Sequence, residues 1–235
     1  MIPLRDSNPA RGIPAVTKAL ILLNGLAFVW ELTLGRKLPL AFVHYAIIPV
    51  RYTHPHQAAE VFGQFPSLGA ALLPFLSSIF LHGGWLHLLG NMWTLWIFGD
   101  NVEARLGHFR YLLLYLASGV VAGFMHLVTN FNSPAPTLGA SGAIAGVMGA
   151  YFRFFPTARV VAIIPPFFFF PIVVPAVLFL GWWFLLQFFN GTLGLAAHGQ
   201  QFSGIAWWAH IGGFAFGVAV CAKARPRPST AEEIA

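Results

Sequence analysis

TLGASGAIAGVMGAYFRFF, residues Thr137–Phe155, is the stretch whose reading decides the fold. Its apolar part, Ala140–Phe155, has sixteen residues, which makes a helix of about 24 Å. A bilayer's hydrocarbon core is roughly 30 Å thick, so in a membrane this helix is too short to cross alone. With Arg153 at one surface, the other end stops inside the bilayer, and the preceding FNSPAPTLG (Phe131–Gly139) dips into it. Irregular backbone at that depth is tolerated only inside protein or along a water-filled cavity. Ser141 is therefore expected at a buried helix N-terminus facing water. Free N–H groups and the helix dipole there favour developing negative charge.

The rest of the chain supports a membrane reading. Of its 235 residues 57% are hydrophobic and 9% charged, with a mean hydropathy of +0.72. A soluble domain carries about 25% charged residues, so too few are present to coat a water-facing surface. An ordinary soluble enzyme, a disordered chain and a nucleic-acid-binding module are excluded. The basic pI of about 10.0 follows from Lys and Arg residues that form no basic stripe. The single cysteine, Cys221, makes no intrachain disulfide and reads as a packed thiol. The polar, proline-rich start, residues 1–19, carries no signal-peptide pattern, and no solenoid-type repeat is present.

Six spans are expected: Lys18–Leu34, Trp85–Val102, Phe109–Val128, Ala140–Phe155, Phe168–Asn190 and Gly204–Ala222. This divides the chain into a cytoplasmic N-terminal segment 1–17, a six-helix membrane-embedded domain 18–222 and a cytoplasmic tail 223–235. The long stretch Gly35–Gly84, interrupted by Pro39, Pro49, Pro55, Pro66 and Pro74, reads as a large first loop with short interfacial helices. Ten of thirteen basic residues fall on one side when six spans alternate, leaving Arg36, Lys37 and Arg51 opposite. By the positive-inside rule both termini are cytoplasmic, and the plasma membrane is the expected location.

Polar groups inside spans are costly and are functional candidates by default. Ser141 is twelve residues before Arg153, His210 thirteen before Lys223 and Asn91 fourteen before Arg105. These separations are about 18, 20 and 21 Å of helix, so three helices bring polar side chains to one level. His87 lies one turn above Asn91 on the same face. Small residues say which helices touch. Ser141, Ala145 and Gly149 line one stripe, with Gly142 and Gly146 beside it, and His210, Gly213 and Gly217 line another. Packing the stripes together would bring the Ser141 hydroxyl to the imidazole of His210. A serine needs an adjacent base to become a nucleophile, and no Asp or Glu lies at the depth of His210, so a Ser–His dyad is expected. The Ser141 backbone N–H, Asn91 and His87 would supply an oxyanion hole.

Blander readings exist for each feature. GxSG in a glycine-rich helix serves packing, His87 and Asn91 would serve equally as interhelical glue or half a metal site, and His82 reads as a loop or interface residue. His44, His54 and His56 read as solvated, Trp207 and Trp208 as an interfacial belt, and Phe167–Pro171 as a lipid-facing anchor and helix start. Glu31 has no evident place. The coincidence of four polar residues at one depth favours a site.

Three segments, FLHGGWLHLLGNMWTLWIFGDNVEARLG (Phe80–Gly107), GASGAIAGVMGA (Gly139–Ala150) and AHIGGFAFG (Ala209–Gly217), resemble the rhomboid intramembrane serine proteases in order and spacing. The resemblance covers about residues 16–225. It implies an all-α, six-helix membrane bundle with a large first loop that cleaves the transmembrane segments of other membrane proteins. It implies Ser141 as nucleophile, His210 as base, and His87 and Asn91 on the oxyanion side. Gly139 begins the GxSG turn, and Gly142, Gly213 and Gly217 support it. Span five and the loop Gly191–Ser203 would be lateral gate and cap. Two positions depart from relatives: Leu73-Pro74 stands where many have Trp-Arg, and Ala145 where some have an aromatic residue stacked on the histidine. Other helices would then orient the base. No cofactor or metal is expected, and no nucleic acid. The alternatives are a catalytically inactive rhomboid-like binder of membrane helices, or a transporter or metal-binding protein using His82, His87 and His210.

Overall fold

The computed structural model describes residues 2–8, 12–164, 168–196 and 205–223. The protein is mostly helical, and its centre is the short helix read first. Helix α9 (Ser141–Phe154) is buried continuously from Gly142 to Tyr151. It is apolar on every face, as a helix surrounded by other helices must be. Around it stand α7 (Trp85–Leu106), α8 (His108–Thr129), α10 (Ala176–Ala196) and α11 (Trp207–Val220), with α1 (Ala15–Leu34) packed on α7.

The approach of α8, α9 and α11 is set by missing side chains. A Cβ on Gly146 would lie 2.0 Å from Ser118 Oγ of α8, and one on Gly142 would lie 2.4 Å from Ala122 Cβ. On the other side, a Cβ on Gly213 would lie 2.1 Å from the Gly142 oxygen, and one on Gly217 would lie 2.0 Å from the Gly146 oxygen. Without hydrophobic pressure between helices in lipid, this close backbone contact is the main source of cohesion.

Helix α1 has no capping side chain of its own. Its first amides are satisfied from α7: Val16 N and Thr17 N each donate to the Glu103 carboxylate over 2.8 Å. The Thr17 hydroxyl donates to the same group over 2.7 Å. A carboxylate at a helix N-terminus gains from the dipole as well as from the hydrogen bonds, so Glu103 fixes α1 to α7.

Between α1 and α7 the chain forms α2 (Leu38–Tyr45), α3 (Val50–Thr53), α4 (Pro55–Phe62), α5 (Leu68–Leu72) and α6 (Pro74–Ser77). Pro39, Pro55 and Pro74 sit in first turns, where a missing N–H does no harm. Arg51 anchors this region. It is 6% exposed, donates to the Val43 and Gly63 carbonyls and lies 3.9 Å over the Phe65 ring. Through these contacts Arg51 ties α2, α3 and the segment after α4 together. Burial pushes the neighbouring Tyr52 hydroxyl up to about 12, and that group donates to the Ala71 carbonyl over 2.9 Å.

The fold is not purely helical. Strands β1 (Ile2–Asp6), β2 (Arg159–Ile164) and β3 (Phe168–Pro175) form an antiparallel sheet in that order. The polar N-terminal segment is thus an ordered edge strand. The expected helix start in Phe167–Pro171 is corrected: residues 168–171 belong to β3, and the helix begins at Ala176. FFFPIVVP is β-branched and aromatic with a terminal proline, which favours a strand over a helix. At its other end α10 runs on to Ala196, so 191–196 are helix, not loop. The remainder of the expected cap, 197–203, lies outside the described residues.

By length and composition, three helical segments among the described residues can cross a membrane: Ala15–Tyr45, His108–Thr129 and Ala176–Gly194. The pair Leu68–Phe80 and Trp85–Leu106, bent by 78°, meets the same test only when its two helices are taken together, as a broken span or a re-entrant loop. Helices α9 and α11, at fourteen residues each, fall short of a full span.

Candidate active site

Two backbone features place Ser141 at the head of α9. Ile47 N donates to the Thr137 oxygen over 3.1 Å and Thr137 N to the Ile47 oxygen over 2.7 Å, pinning the incoming chain to the first loop. Gly139 then turns it with φ +126°, a conformation L side chains rarely adopt, while its N–H donates to the Ser78 oxygen over 2.8 Å. A Cβ there would also lie 2.6 Å from His87 Nε2. Gly139 is therefore required twice, by its backbone angle and by the imidazole against it.

Ser141 is the first residue of α9 and is half-buried. Its hydroxyl lies 2.8 Å from Nε2 of His210 on α11. The stripes expected to pack do so, Gly142 against Gly213 and Gly146 against Gly217. This contact holds the two side chains at hydrogen-bond distance. The other nitrogen of His210, Nδ1, lies 2.8 Å from Gln187 Oε1 on α10. Trp183, one turn earlier on α10, lays its ring over the imidazole at 5.9 Å between centroids, tilted by 33°. The aromatic neighbour of the His210 ring thus comes from α10.

His87 and Asn91 of α7 flank Gly139, two residues before Ser141. Gly83 N donates to His87 Nδ1 over 3.4 Å. The Asn91 amide nitrogen lies 3.0 Å from His82 Nε2, and His82 Nδ1 lies 3.2 Å from the Phe80 oxygen. A proton on His82 Nδ1 satisfies both contacts: it is donated to the carbonyl, and Nε2 accepts from Asn91. One Asn91 N–H is thereby used and one remains. His82 lies in the loop before α7, as expected, yet it is no surface residue. It is 1% exposed, because its N–H and ring close a buried polar chain. That chain also gives Glu31 its place, since His82 N donates to Glu31 Oε1 over 3.0 Å.

Sequence reasoning missed Gln187. The signal was present: an amide amid FLGWWFLLQFFNG (Phe179–Gly191) is a polar group inside an apolar helix. The rule that selected His87, Asn91 and His210 selects it too.

A family model described as the Rhomboid domain matches residues 70–227. The presenilin-associated rhomboid-like protein A, mitochondrial, of Danio rerio is 33% identical over 109 residues, 46% of this chain and 28% of that protein. The human presenilin-associated rhomboid-like protein, mitochondrial, is 35% identical over 97 residues, 40% of this chain and 26% of that protein. Rhomboid protease GluP of Bacillus subtilis is 45% identical over 75 residues, 32% of this chain and 14% of that protein. Each match spans about a quarter or less of the relative's own length. The plasma-membrane expectation is corrected by these findings, because the animal relatives are named as mitochondrial proteins. The membrane-integral character stands on the apolar helices and the Rhomboid match.

Proposed function

Because the chain belongs to the rhomboid family, we propose that it is an intramembrane serine endopeptidase cutting transmembrane segments of other membrane proteins. The observation that carries this reading is the 2.8 Å contact between Ser141 Oγ and His210 Nε2 at the head of a short buried helix. In this reading α1, α7, α8, α9, α10 and α11 are the six membrane-embedded helices of a core over residues 18–222, with the short α9 and α11 packed among the longer four. Residues 1–17 and 223–235 flank that core on the side that carries most of the basic residues.

Ser141 Oγ attacks a substrate carbonyl carbon as its proton passes to His210 Nε2. The new oxyanion faces the Ser141 N–H at the start of α9, the free N–H of Asn91 and the ring of His87. As the carbon–nitrogen bond breaks, His210 returns the proton to the leaving amine. Water then attacks the acyl-enzyme, giving one proton to His210, and Ser141 regains its own as the new carboxyl end departs. A helical carbonyl is shielded by its hydrogen bond, so the substrate must unwind locally. Segments with Gly, Pro or small residues near the cut are therefore preferred.

The test is cleavage of a model transmembrane substrate by the purified protein in lipid, with Ser141→Ala and His210→Ala alongside. Either change should abolish cleavage without loss of fold, and the double change should be no worse than either single one, because the pair acts as a unit. A fluorophosphonate should label Ser141 and fail on Ser141→Ala. Full proteolysis by Ser141→Ala would refute the assignment, and absence of cleavage by the intact protein would favour an inactive binder of membrane helices.

A further inference from the structure

Helix α10 presents two unlike faces. Trp182 and Phe189 are 54% and 59% exposed, as lipid-facing side chains are, whereas Gln187 between them is 6% exposed. An amide taken out of water needs hydrogen-bond partners, and the oxygen of this one meets a single imidazole nitrogen, His210 Nδ1 at 2.8 Å. Trp183, four residues earlier and on the same face, covers the same ring. Two adjacent turns of α10 thus grip His210, one at its far nitrogen and one on its ring.

A neutral imidazole carries its proton on either nitrogen, and the partner of one nitrogen decides the form at the other. With the proton on Nδ1, it is donated to Gln187 Oε1 and the Nε2 lone pair faces the Ser141 hydroxyl. With the proton on Nε2, the amide oxygen would face a lone pair at Nδ1, and Nε2 could no longer accept from Ser141. Resting on the serine-protease reading above, we infer that Gln187 is a positioning residue: its amide oxygen, delivered from α10, fixes the His210 tautomer and ring plane in which Nε2 is ready to take the Ser141 proton. The neutral amide does the orienting work of the acid in a Ser–His–Asp triad without placing an uncompensated carboxylate inside the bilayer. The dyad therefore has a third, uncharged member, from a helix that carries neither reacting group.

The test uses the full chain in liposomes with a transmembrane substrate. Gln187→Met keeps the side chain's length and bulk and removes the acceptor, while Gln187→Glu keeps an acceptor oxygen. Gln187→Met should lower kcat by about 10- to 100-fold, a fraction of what general-base catalysis contributes. KM and the thermal midpoint should stay near their original values, since a positioning bond does not hold substrate. Gln187→Glu should recover much of the rate. The nitrogen chemical shifts of 15N-labelled His210 should report a proton on Nδ1 in the intact protein and a mixture of forms in Gln187→Met. An unchanged kcat for Gln187→Met, equal losses in both variants, or a proton on Nε2 in the intact protein would each overturn the inference. Should Gln187→Met unfold, the shifts of the intact protein decide alone. If Ser141→Ala does not stop cleavage, the protease reading itself has failed, and the nitrogen shifts still decide where Gln187 holds the proton.

Discussion

A methyl group added to Gly213 or Gly217 of α11 would sit 2.1 or 2.0 Å from a backbone oxygen of α9, whereas one added to Gly181 of α10 would meet nothing nearer than a Phe152 ring atom at 3.9 Å. At Gly194, in the last turns of α10, it would meet nothing within 4 Å. The two helices beside the serine are thus held by different means. Helix α11 touches α9 backbone to backbone, where neither partner can yield. Helix α10 leans on the bundle through long side chains, and many of its large residues, among them Leu178, Trp182, Phe188 and Leu193, are exposed. Its backbone is tied at the root, with Ala176 N donating to the Ala158 oxygen over 2.7 Å and Val177 N to the Pro156 oxygen over 3.0 Å, and near the far end, where the Gly191 oxygen accepts from Trp208 Nε1 of α11 over 3.1 Å. In the proposed mechanism the two groups that would exchange a proton, Ser141 and His210, lie on the rigid pair, and the proposed positioning residue Gln187 lies on the more lightly packed helix. Under that proposal, precision at Ser141 and His210 is compatible with a wall that gives way to a substrate.

The largest expected effect breaks this contrast where it is strongest. Gly217→Val or Gly213→Val should force α11 away from α9, since the obstructing atoms are main-chain oxygens. Overpacking of that kind costs on the order of 1–3 kcal/mol and occasionally more. Labelling of Ser141 by a fluorophosphonate should fall together with the thermal midpoint. Gly194→Ala should act in the opposite direction, because a helical glycine is about 1 kcal/mol worse than alanine when nothing opposes the methyl. Equal thermal midpoints for Gly217→Val and Gly194→Ala would remove the distinction between the two helices.

A smaller effect sharpens the view from α7. His87→Ala and Asn91→Ala should slow turnover by at most about 10²–10³-fold, the loss seen when one oxyanion donor is removed. The deficit should lie in kcat, because ground-state binding does not need that contact. A metal-ligand role would instead make activity sensitive to a chelator and His87→Ala as inactive as Ser141→Ala. Chelator-resistant cleavage with graded losses distinguishes the two.

Much of this arrangement is legible in the sequence. The Ser141 and His210 stripes declare their contact, because small residues at helical spacing in an apolar chain have few other uses. The shortness of α9 likewise follows from counting residues to Arg153. What was not legible depends on partners remote in sequence. Phe168–Pro175 is strand-prone in composition but runs straight on into an apolar helix, and pairing with β2 marks where one ends and the other begins. Pro3 and Arg5 look like loop residues until β2 offers an edge. His82 and Glu31, fifty-one positions apart, explain one another only when a main-chain N–H joins them. Gln187 was visible as a polar intruder, but its partner was not, because no periodicity relates positions on α10 to positions on α11.

The smallest expected effect concerns the root of the yielding helix. Strand β1 edges the sheet whose third strand leads into α10, and Asp6 closes β1 onto α9. Its carboxylate accepts from the Tyr151 hydroxyl and, over 3.1 Å, from the Asn101 amide. Burial outweighs these donors and raises Asp6 from 3.8 to about 7. The folded chain therefore keeps a proton that the unfolded chain releases. The contribution is fully present below the unfolded value of 3.8 and is lost as pH rises through about 7. Hydrogen exchange at the β1 and β2 amides, corrected for its intrinsic pH dependence, should show the strand opening more readily across that window. Asp6→Asn keeps an acceptor for Tyr151 and carries no charge, so its slope should be clearly smaller, with Asp100, which accepts from the same Asn101 amide over 3.0 Å, left to supply the remainder. Protection of the α9–α11 amides should not change with Asp6 in either protein, since the Gly142–Gly213 and Gly146–Gly217 contacts that join those helices are backbone to backbone. An undiminished slope in Asp6→Asn would remove Asp6 as its source, and a slope that appears equally in the α9–α11 amides would mean that the root of α10 is not held separately from the rigid pair.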